Sequence, residues 1–91
     1  MSVEIRHQPD QHRFTTEVDG HAAYVEYEPA QDAIAITHTI VPAAIGGRGI
    51  AGELVRAAMA YARDSGLKVR PDCSYADDWM RKHPDFADLR A

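Results

Sequence analysis

The segment from Ile45 to Gly52 places four glycines and one arginine where the residue pattern changes. It joins a β-like apolar run over residues 33–41 to a helix-like run over residues 48–64. Glycine allows positive φ and close approach of the backbone to a ligand. No Ser, Thr, Asp or Asn caps the helix start, so its first N–H groups stay free at the positive end of the dipole. The segment predicts a phosphate site, with an ordinary glycine turn as the alternative.

Cys73 is the second group that could do chemistry. It lies between a short strand-like segment, residues 67–70, and a predicted second helix. A thiol just before a helix N-terminus is favoured as the thiolate, so Cys73 is a candidate nucleophile that could carry an acyl group. The alternative is a buried, inert cysteine, which is the usual fate of an isolated one.

Tyr75 and His38 complete the candidate catalytic set. Tyr75 could donate a proton as a general acid, although packing in the core beneath the second helix is the stronger interpretation. Alternation assigns His38 to the strand face that carries Ile34, Ile36 and Ile40, from which it could act as a general base. A hydrogen-bonded core histidine is the alternative.

Other polar residues carry weaker predictions. The basic side chains that could meet phosphates, or simply be solvated, are Arg48, Lys68, Arg70, Arg81 and Lys82. His83 is interpreted as a cation at a helix C-terminus, and Trp79 and Met80 are assigned to the core. The remaining histidines lack the regular spacing of a metal site, so no metal is predicted.

The pattern before the glycines is that of an antiparallel three-stranded meander. Residues 13–18 and 22–28 alternate, and Asp19-Gly20 is a turn typical of two-residue hairpins. The third strand spans residues 33–41 and ends at Pro42, which lacks a donor for the ladder.

After the glycines the period becomes helical. The apolar stripe of the first helix is Ile50, Leu54, Val55, Ala58, Met59 and Ala62. Ser65-Gly66 ends this helix, and residues 67–70 form a fourth strand. Ser74-x-x-Asp77 predicts a capping box for a second helix that ends near His83-Pro84.

The strand–helix–strand connection decides where the glycines lie. Such crossovers are right-handed, so the fourth strand should run parallel to the third. The glycine segment then lies at the carboxyl edge of the sheet, where open α/β sheets bind ligands.

Composition bounds the function. The 91 residues, 45% of them apolar, predict a single globular domain over residues 1–91. The net charge of −4 disfavours nucleic-acid binding. A single cysteine excludes an internal disulfide, and neither a membrane span nor a signal peptide is visible, so a cytoplasmic protein is expected.

The charge is distributed unevenly. Residues 1–44 hold two basic and seven acidic side chains, and residues 45–82 hold seven basic and five acidic ones. This asymmetry suits an amine acceptor and an anionic cofactor. An ordinary solvated surface is the alternative.

Four segments in this order resemble the short, stand-alone GNAT-like N-acetyltransferases. They are HTIVP at residues 38–42, GRGIA at residues 47–51, KVRPDCSY at residues 68–75 and HP at residues 83–84. The resemblance covers nearly the whole chain. It implies the α/β GNAT-like fold, with a mixed sheet and two main helices, and binding of acetyl-coenzyme A.

The resemblance also implies roles for individual residues. In GNAT proteins, the strand before the glycine turn binds pantetheine through its backbone, which corresponds here to Ile40 and Val41. The turn holds the pyrophosphate. The wider superfamily has Gln or Arg where this chain has Gly46, so a side-chain contact is lost while the backbone cradle is kept. Cys73 matches the cysteine near the thioester, and the positions that match the pyrophosphate turn are Gly47, Arg48, Gly49, Ile50 and Ala51.

The implied function is binding of acetyl-CoA and transfer of the acetyl group to an amine, either a polyamine or a protein lysine. The chain lacks the extra helices and strands with which longer GNAT enzymes build an acceptor pocket. Two alternatives stay open: a non-catalytic coenzyme A-binding or protein-interaction module, and a cysteine-dependent acyl transferase or thioesterase. All three use the same loop, so the sequence leaves the acceptor and the oligomeric state unassigned.

Overall fold

The computed structural model describes residues 3–91. Within this range, five strands form one sheet in the order β1-β2-β3-β4-β5. There are two α-helices, α1 (Ile50–Asp64) and α2 (Ser74–Lys82), and three 3₁₀ segments at Pro9–Gln11, Ala43–Ile45 and Pro84–Leu89. The strands are β1 (Arg6–Gln8), β2 (Arg13–Val18), β3 (His21–Pro29), β4 (Ala33–Ile40) and β5 (Lys68–Pro71).

The strand directions confirm the predicted mixed sheet. Strands β1 to β4 pair antiparallel, and β5 runs parallel to β4. The predicted meander had three antiparallel strands, and the structure has four. The additional strand is β1, which pairs with the free edge of β2. The residues of β1 are Arg6, His7 and Gln8, which give no alternating apolar signal.

The local turns form as their residues predict. Asp19 and Gly20 have φ of +51° and +78°, the positive values that a type I′ hairpin turn requires. Gly66 ends α1 at φ +72°, and the N–H of Leu67 donates to the carbonyl of Ala62 at 2.8 Å. This pairing satisfies one of the last carbonyls of the helix.

The core lies between α1 and the inner face of the sheet. All six predicted residues of the α1 stripe are buried. They pack in one cluster with Val25 and Tyr27 of β3 and with Ile34 and Ile36 of β4. Trp79 and Met80 of α2 close the same cluster, as predicted. In the part of the chain that the structure describes, no helix is long and apolar enough to cross a bilayer.

His7 fixes β1 against α1. Its ring stacks on Phe14 with centroids 4.1 Å apart and meets the edge of Tyr61 at 4.5 Å. Its Nε2 lies 2.6 Å from the hydroxyl of Tyr27. Burial lowers the pKa of His7.

We expect this histidine to make the folded state less stable in mild acid. The pKa of His7 in the folded chain lies below its ordinary value of 6.5, so below that pH the unfolded chain binds a proton that the folded chain resists. Stability should therefore fall as the pH is lowered from about 7 to about 5. His7→Phe keeps a stacking ring that cannot titrate and should reduce this loss. Urea midpoints at both pH values measure it.

The matched control for this experiment is His21→Phe, which removes an imidazole from an exposed strand end. It should leave the acid dependence of the wild type in place. If His7→Phe and His21→Phe lose stability equally between the two pH values, His7 is not the responsible group.

Candidate functional site

Strands β4 and β5 separate halfway along β4. The paired register runs from Ala33 opposite Lys68 to Ile36 opposite Pro71. The N–H of Cys73 then donates to the carbonyl of Ile36 at 3.0 Å. Beyond Ile36, the described residues of β4 pair with β3 alone. The edge of residues 37–41 that faces β5 is therefore open to a ligand.

A β-bulge at Thr37 changes the faces of the last residues of β4. Tyr27 lies opposite Ile36 and Glu26 lies opposite His38, so Thr37 has no partner on β3. Because of this extra residue, Thr39 takes the inner face, opposite the buried Val25. The assignment of His38 and Ile40 to the inner face was therefore wrong.

His38 lies instead on the open face of the sheet, which is the face opposite α1. Its Nδ1 is 3.4 Å from the carboxylate of Glu26, and its side chain is 63% exposed. The same carboxylate receives Arg13 at 2.8 Å. His38 and Glu26 border a surface cavity of about 330 Å³ that also includes His12 and Glu28. This open-face cavity carries two carboxylates and two imidazoles.

Cys73 lies where β4 and β5 separate. It is half-buried, and its Sγ accepts a hydrogen bond from the N–H of Ala76 at 3.4 Å. The Sγ is also 3.4 Å from the hydroxyl of Thr39. Cys73 is thus the N-cap of α2, so the capping box predicted from Ser74 is wrong by one residue. The thiol stands beside the open edge of β4.

The glycine loop is open and leads into an uncapped helix, as predicted. Gly47 and Gly49 have φ of +76° and +78°, and no atom lies within 4 Å of where a Cβ would stand on either. Gly49 is the N-cap of α1 and offers no side-chain acceptor. The first intrahelical bond runs from the N–H of Glu53 to the carbonyl of Gly49 at 3.1 Å. The N–H groups of residues 50–52 are therefore available to an anion.

The predicted phosphate cations are held by protein partners. Arg48 donates to Asp19 at 2.7 Å, which ties the glycine loop to the β2–β3 turn. Lys68 donates to the carbonyl of Asp88 at 2.7 Å. Arg70, Arg81 and Lys82 pair with Asp72, Asp77 and Asp78. Exposed pairs of this kind are weak because water and salt screen them, so a bound phosphate can compete for them.

A cavity of about 340 Å³ continues from the glycine loop between α1 and α2. We call it the interhelical cavity. Its wall includes Gly49 and Gly52 of α1 and Tyr75, Trp79 and His83 of α2. Tyr75 is 42% exposed here, so the expected packing of Tyr75 in the core was wrong. Partial burial raises the pKa of its hydroxyl, with Asp78 adding to the effect and Lys82 opposing it.

Arg56 is the residue of this cavity that the sequence interpretation missed. It lies on α1, with its guanidinium 5.4 Å from the ring of Trp79. A signal was present in the spacing, because residues 49, 52, 53 and 56 follow the i, i+3, i+4, i+7 pattern of one helical face. That face begins at the glycine loop.

Comparison with known proteins agrees with this geometry. The family described as GCN5-related N-acetyl-transferase matches residues 13–89. Protein NATD1 of Xenopus tropicalis is 30% identical over 86 residues, covering 91% of this chain and 79% of that protein. Protein NATD1 of Homo sapiens is 31% identical over 85 residues, covering 90% and 75%.

A solved structure is also similar. The NMR solution structure of a GCN5-like protein from Staphylococcus aureus matches with a TM-score of 0.77 and 27% identity. The match covers 98% of this chain and 88% of that one.

Proposed function

This chain belongs to the GCN5-related N-acetyltransferase family, and from that premise we propose that it binds acetyl-coenzyme A and transfers the acetyl group to an amine. The observation that carries the proposal is the uncapped start of α1 beside the point where β4 and β5 separate. The uncapped helix start could bind the pyrophosphate of such a coenzyme. The open strand edge could bind the amide groups of its arm.

The residues present fit this coenzyme. The segment from Gly47 to Ala51 offers backbone N–H groups, and no side chain obstructs them at Gly47 or Gly49. The N–H of Gly46 donates to the carbonyl of Ala43 at 3.1 Å, so Gly46 would contribute only its small size to the cradle. Pantetheine carries amide groups that suit the open edge of β4 at Ile40 and Val41. Bound acetyl-CoA would supply the acetyl group as a thioester.

Transfer to an amine needs two proton movements. The incoming ammonium must lose a proton, and the departing thiolate must gain one. Tyr75 keeps its proton at neutral pH, as an ordinary phenol does, so it is our candidate donor. His38 is our candidate acceptor, because the carboxylate of Glu26 lies 3.4 Å from its Nδ1 and can orient the ring. Cys73 would line the site near the thioester.

The acceptor that we propose is a cationic amine, either a polyamine or a lysine on a larger partner. The open-face cavity next to His38 carries the carboxylates of Glu26 and Glu28. Because Arg13 already pairs with Glu26, Glu28 is the carboxylate there without an ion-pair partner among the described residues. A negative surface of this kind attracts cations and speeds their encounter.

We expect acetyl transfer to a polyamine to fall steeply with salt. Between ionic strengths of about 0.01 M and 0.5 M the Debye length shrinks from ~30 Å to a few Å, which screens the attraction. Glu28→Gln should lower kcat/KM for the polyamine and flatten its salt dependence. Coenzyme A release at constant acetyl-CoA measures both effects.

Glu17→Gln is the matched control, because it removes an exposed carboxylate outside the open-face cavity. It should change kcat/KM less than Glu28→Gln does. Preference for a neutral or anionic acceptor, or turnover indifferent to salt, would contradict the proposed acceptor.

A further inference from the structure

We propose that residues 3–12 form a strap that closes one side of the open-face cavity at neutral pH and is released in mild acid, when His7 takes up a proton. The strap contains β1 and the 3₁₀ segment Pro9–Gln11. Gln11 and His12 belong to the wall of the open-face cavity. Release of the strap would remove that wall. The inference rests on the proposed function only where it treats this cavity as the acceptor site.

The strap is attached to the rest of the chain by few polar contacts. Strand β1 is three residues long and pairs with β2 alone. The hydroxyl of Thr16 donates to the carbonyl of Glu4 at 2.6 Å. No ion pair joins the strap to the rest of residues 3–91, because Arg6 pairs with Glu4 inside the strap. A short edge segment of this kind can open at a lower free energy than the whole fold.

His7 is the titratable group that holds the strap inward. Its ring stacks on Phe14 of β2 and meets the edge of Tyr61 of α1. The titratable groups that face it are the phenols of Tyr61 and Tyr27, and both are neutral near pH 6. An imidazolium at this place has no anionic partner. Among the histidines of residues 3–91, only His38 lies within 4 Å of a carboxylate.

Protonation of His7 therefore places an unpaired charge against aromatic rings. Burial lowers the pKa of His7 in the closed strap from its ordinary value of 6.5. A released strap returns the imidazole to water, where the ordinary value applies. The open state thus binds the proton more strongly than the closed state, and opening becomes more favourable as the pH falls below about 6.5.

Tyr27 connects His7 to the open-face cavity. Its hydroxyl lies 2.6 Å from Nε2 of His7, and its backbone N–H donates to the carbonyl of His12 at 2.9 Å. In the sequence it lies between Glu26 and Glu28, which both border the cavity. His12 has a φ of +53°, a conformation that costs free energy in residues other than glycine. Once the contact of His7 is lost, this strain favours release of the rest of the strap.

Native-state hydrogen exchange tests the strap directly. The reporter is the N–H of Tyr27, which donates to His12, and the reference is the N–H of Met59 in the buried face of α1. We expect Tyr27 to be less protected than Met59 and to depend less on urea, as opening of one segment requires. Between pH 7 and pH 5, the opening constant at Tyr27 should rise about tenfold, and at most about 25-fold, after correction for the intrinsic exchange rate.

His7→Phe should remove most of this rise, because its ring can stack but cannot titrate. His12→Asn is the matched control, since it removes the other imidazole of the strap and Asn accepts the positive φ. It should keep the rise. Should His7→Phe fail to fold, an NMR titration of the His7 ring in the wild type decides the question. A pKa below 6.5 supports the strap, and a value at or above 6.5 overturns it.

Two further results would overturn the inference. Exchange of Tyr27 with the protection and the urea dependence of Met59 would mean that the strap opens only when the whole chain unfolds. A rise that persists unchanged in His7→Phe would remove His7 as its cause. None of these measurements uses acetyl-CoA or an amine. Failure of the strap therefore leaves the proposed function standing, and a chain that binds no coenzyme leaves the strap standing.

Discussion

Gly49→Asp is expected to lower the affinity for coenzyme A about a hundredfold or more while the chain stays folded, because charge-assisted bonds to the pyrophosphate are lost. Gly49 is exposed and no atom lies within 4 Å of its Cβ position, so the new side chain clashes with nothing, and the φ of +78° adds backbone strain. Its carboxylate would accept from the free N–H groups at the start of α1 and repel a phosphate. Calorimetry measures the affinity, and thermal unfolding reports the fold.

Gly49→Asn is the matched control for this change. Asn has the same size as Asp and bears the same backbone strain at the φ of +78°, but it carries no charge. We expect Gly49→Asn to keep a larger share of the affinity than Gly49→Asp. Wild-type affinity in Gly49→Asp would show that the anion site is not at this helix start.

Alkylation of Cys73 by iodoacetamide is expected to slow about a hundredfold when coenzyme A is present at about a hundred times its dissociation constant, because only the free fraction reacts. Cys73 is the only cysteine of the chain, so the label is unambiguous. The thiol lies half-buried beside Thr39 at the open edge of β4, where the thioester end of the coenzyme would lie.

Gly49→Asp supplies the control for this experiment as well. At the same concentration of coenzyme A, a variant with a hundredfold lower affinity is about half occupied or less, so coenzyme A should slow its Cys73 about twofold or less. A thiol that reacts only after denaturation would be structural. An acetyl adduct on Cys73 in the intact mass, after mixing with acetyl-CoA, would favour the cysteine-dependent alternative.

The parts of the fold with a local signal were predictable. The six apolar residues of α1 follow the helical period over almost four turns, so their burial could be derived from spacing alone. Asp19-Gly20 and Gly66 adopt positive φ because the turns they form require it. The glycine loop lies between a predicted strand and a predicted helix. Its position, and the lack of an N-cap side chain on that helix, could therefore be derived as well.

The parts that depend on distant partners were not predictable. The bulge at Thr37 depends on how β3 aligns with β4. The residues of β4 alternate regularly through Thr37, so the sequence pattern does not indicate the bulge. Strand β1 depends on contacts of His7 with Tyr27 and Tyr61, more than fifteen residues away. Tyr75 was assigned to the core because aromatic residues usually pack there. In the structure Tyr75 borders the interhelical cavity instead, beside Gly52, which has no side chain to fill that space.

The charge pattern of the sequence indicated the basic residues near the proposed phosphate site only in part. Arg48 lies inside the glycine loop, yet it pairs with Asp19 across the hairpin, a contact that sequence distance hides. Arg56 was not singled out from the sequence. Only the packing of α1 against α2 shows that Arg56 lies over Trp79. Only the folded structure shows that it has no carboxylate partner among the described residues.

The measurement that tests the central claim most directly is thermal unfolding of the wild-type chain with and without coenzyme A. A ligand that binds only the folded state at a hundred times its dissociation constant stabilises it by about 2.7 kcal/mol. For a domain of this size, that corresponds to a rise in Tm of about 10 °C or more. We predict this rise for the wild type and about a sixth of it or less for Gly49→Asp, whose affinity is expected to be at least a hundredfold lower. A wild-type Tm that does not move at millimolar coenzyme A would contradict the claim that this chain binds the coenzyme.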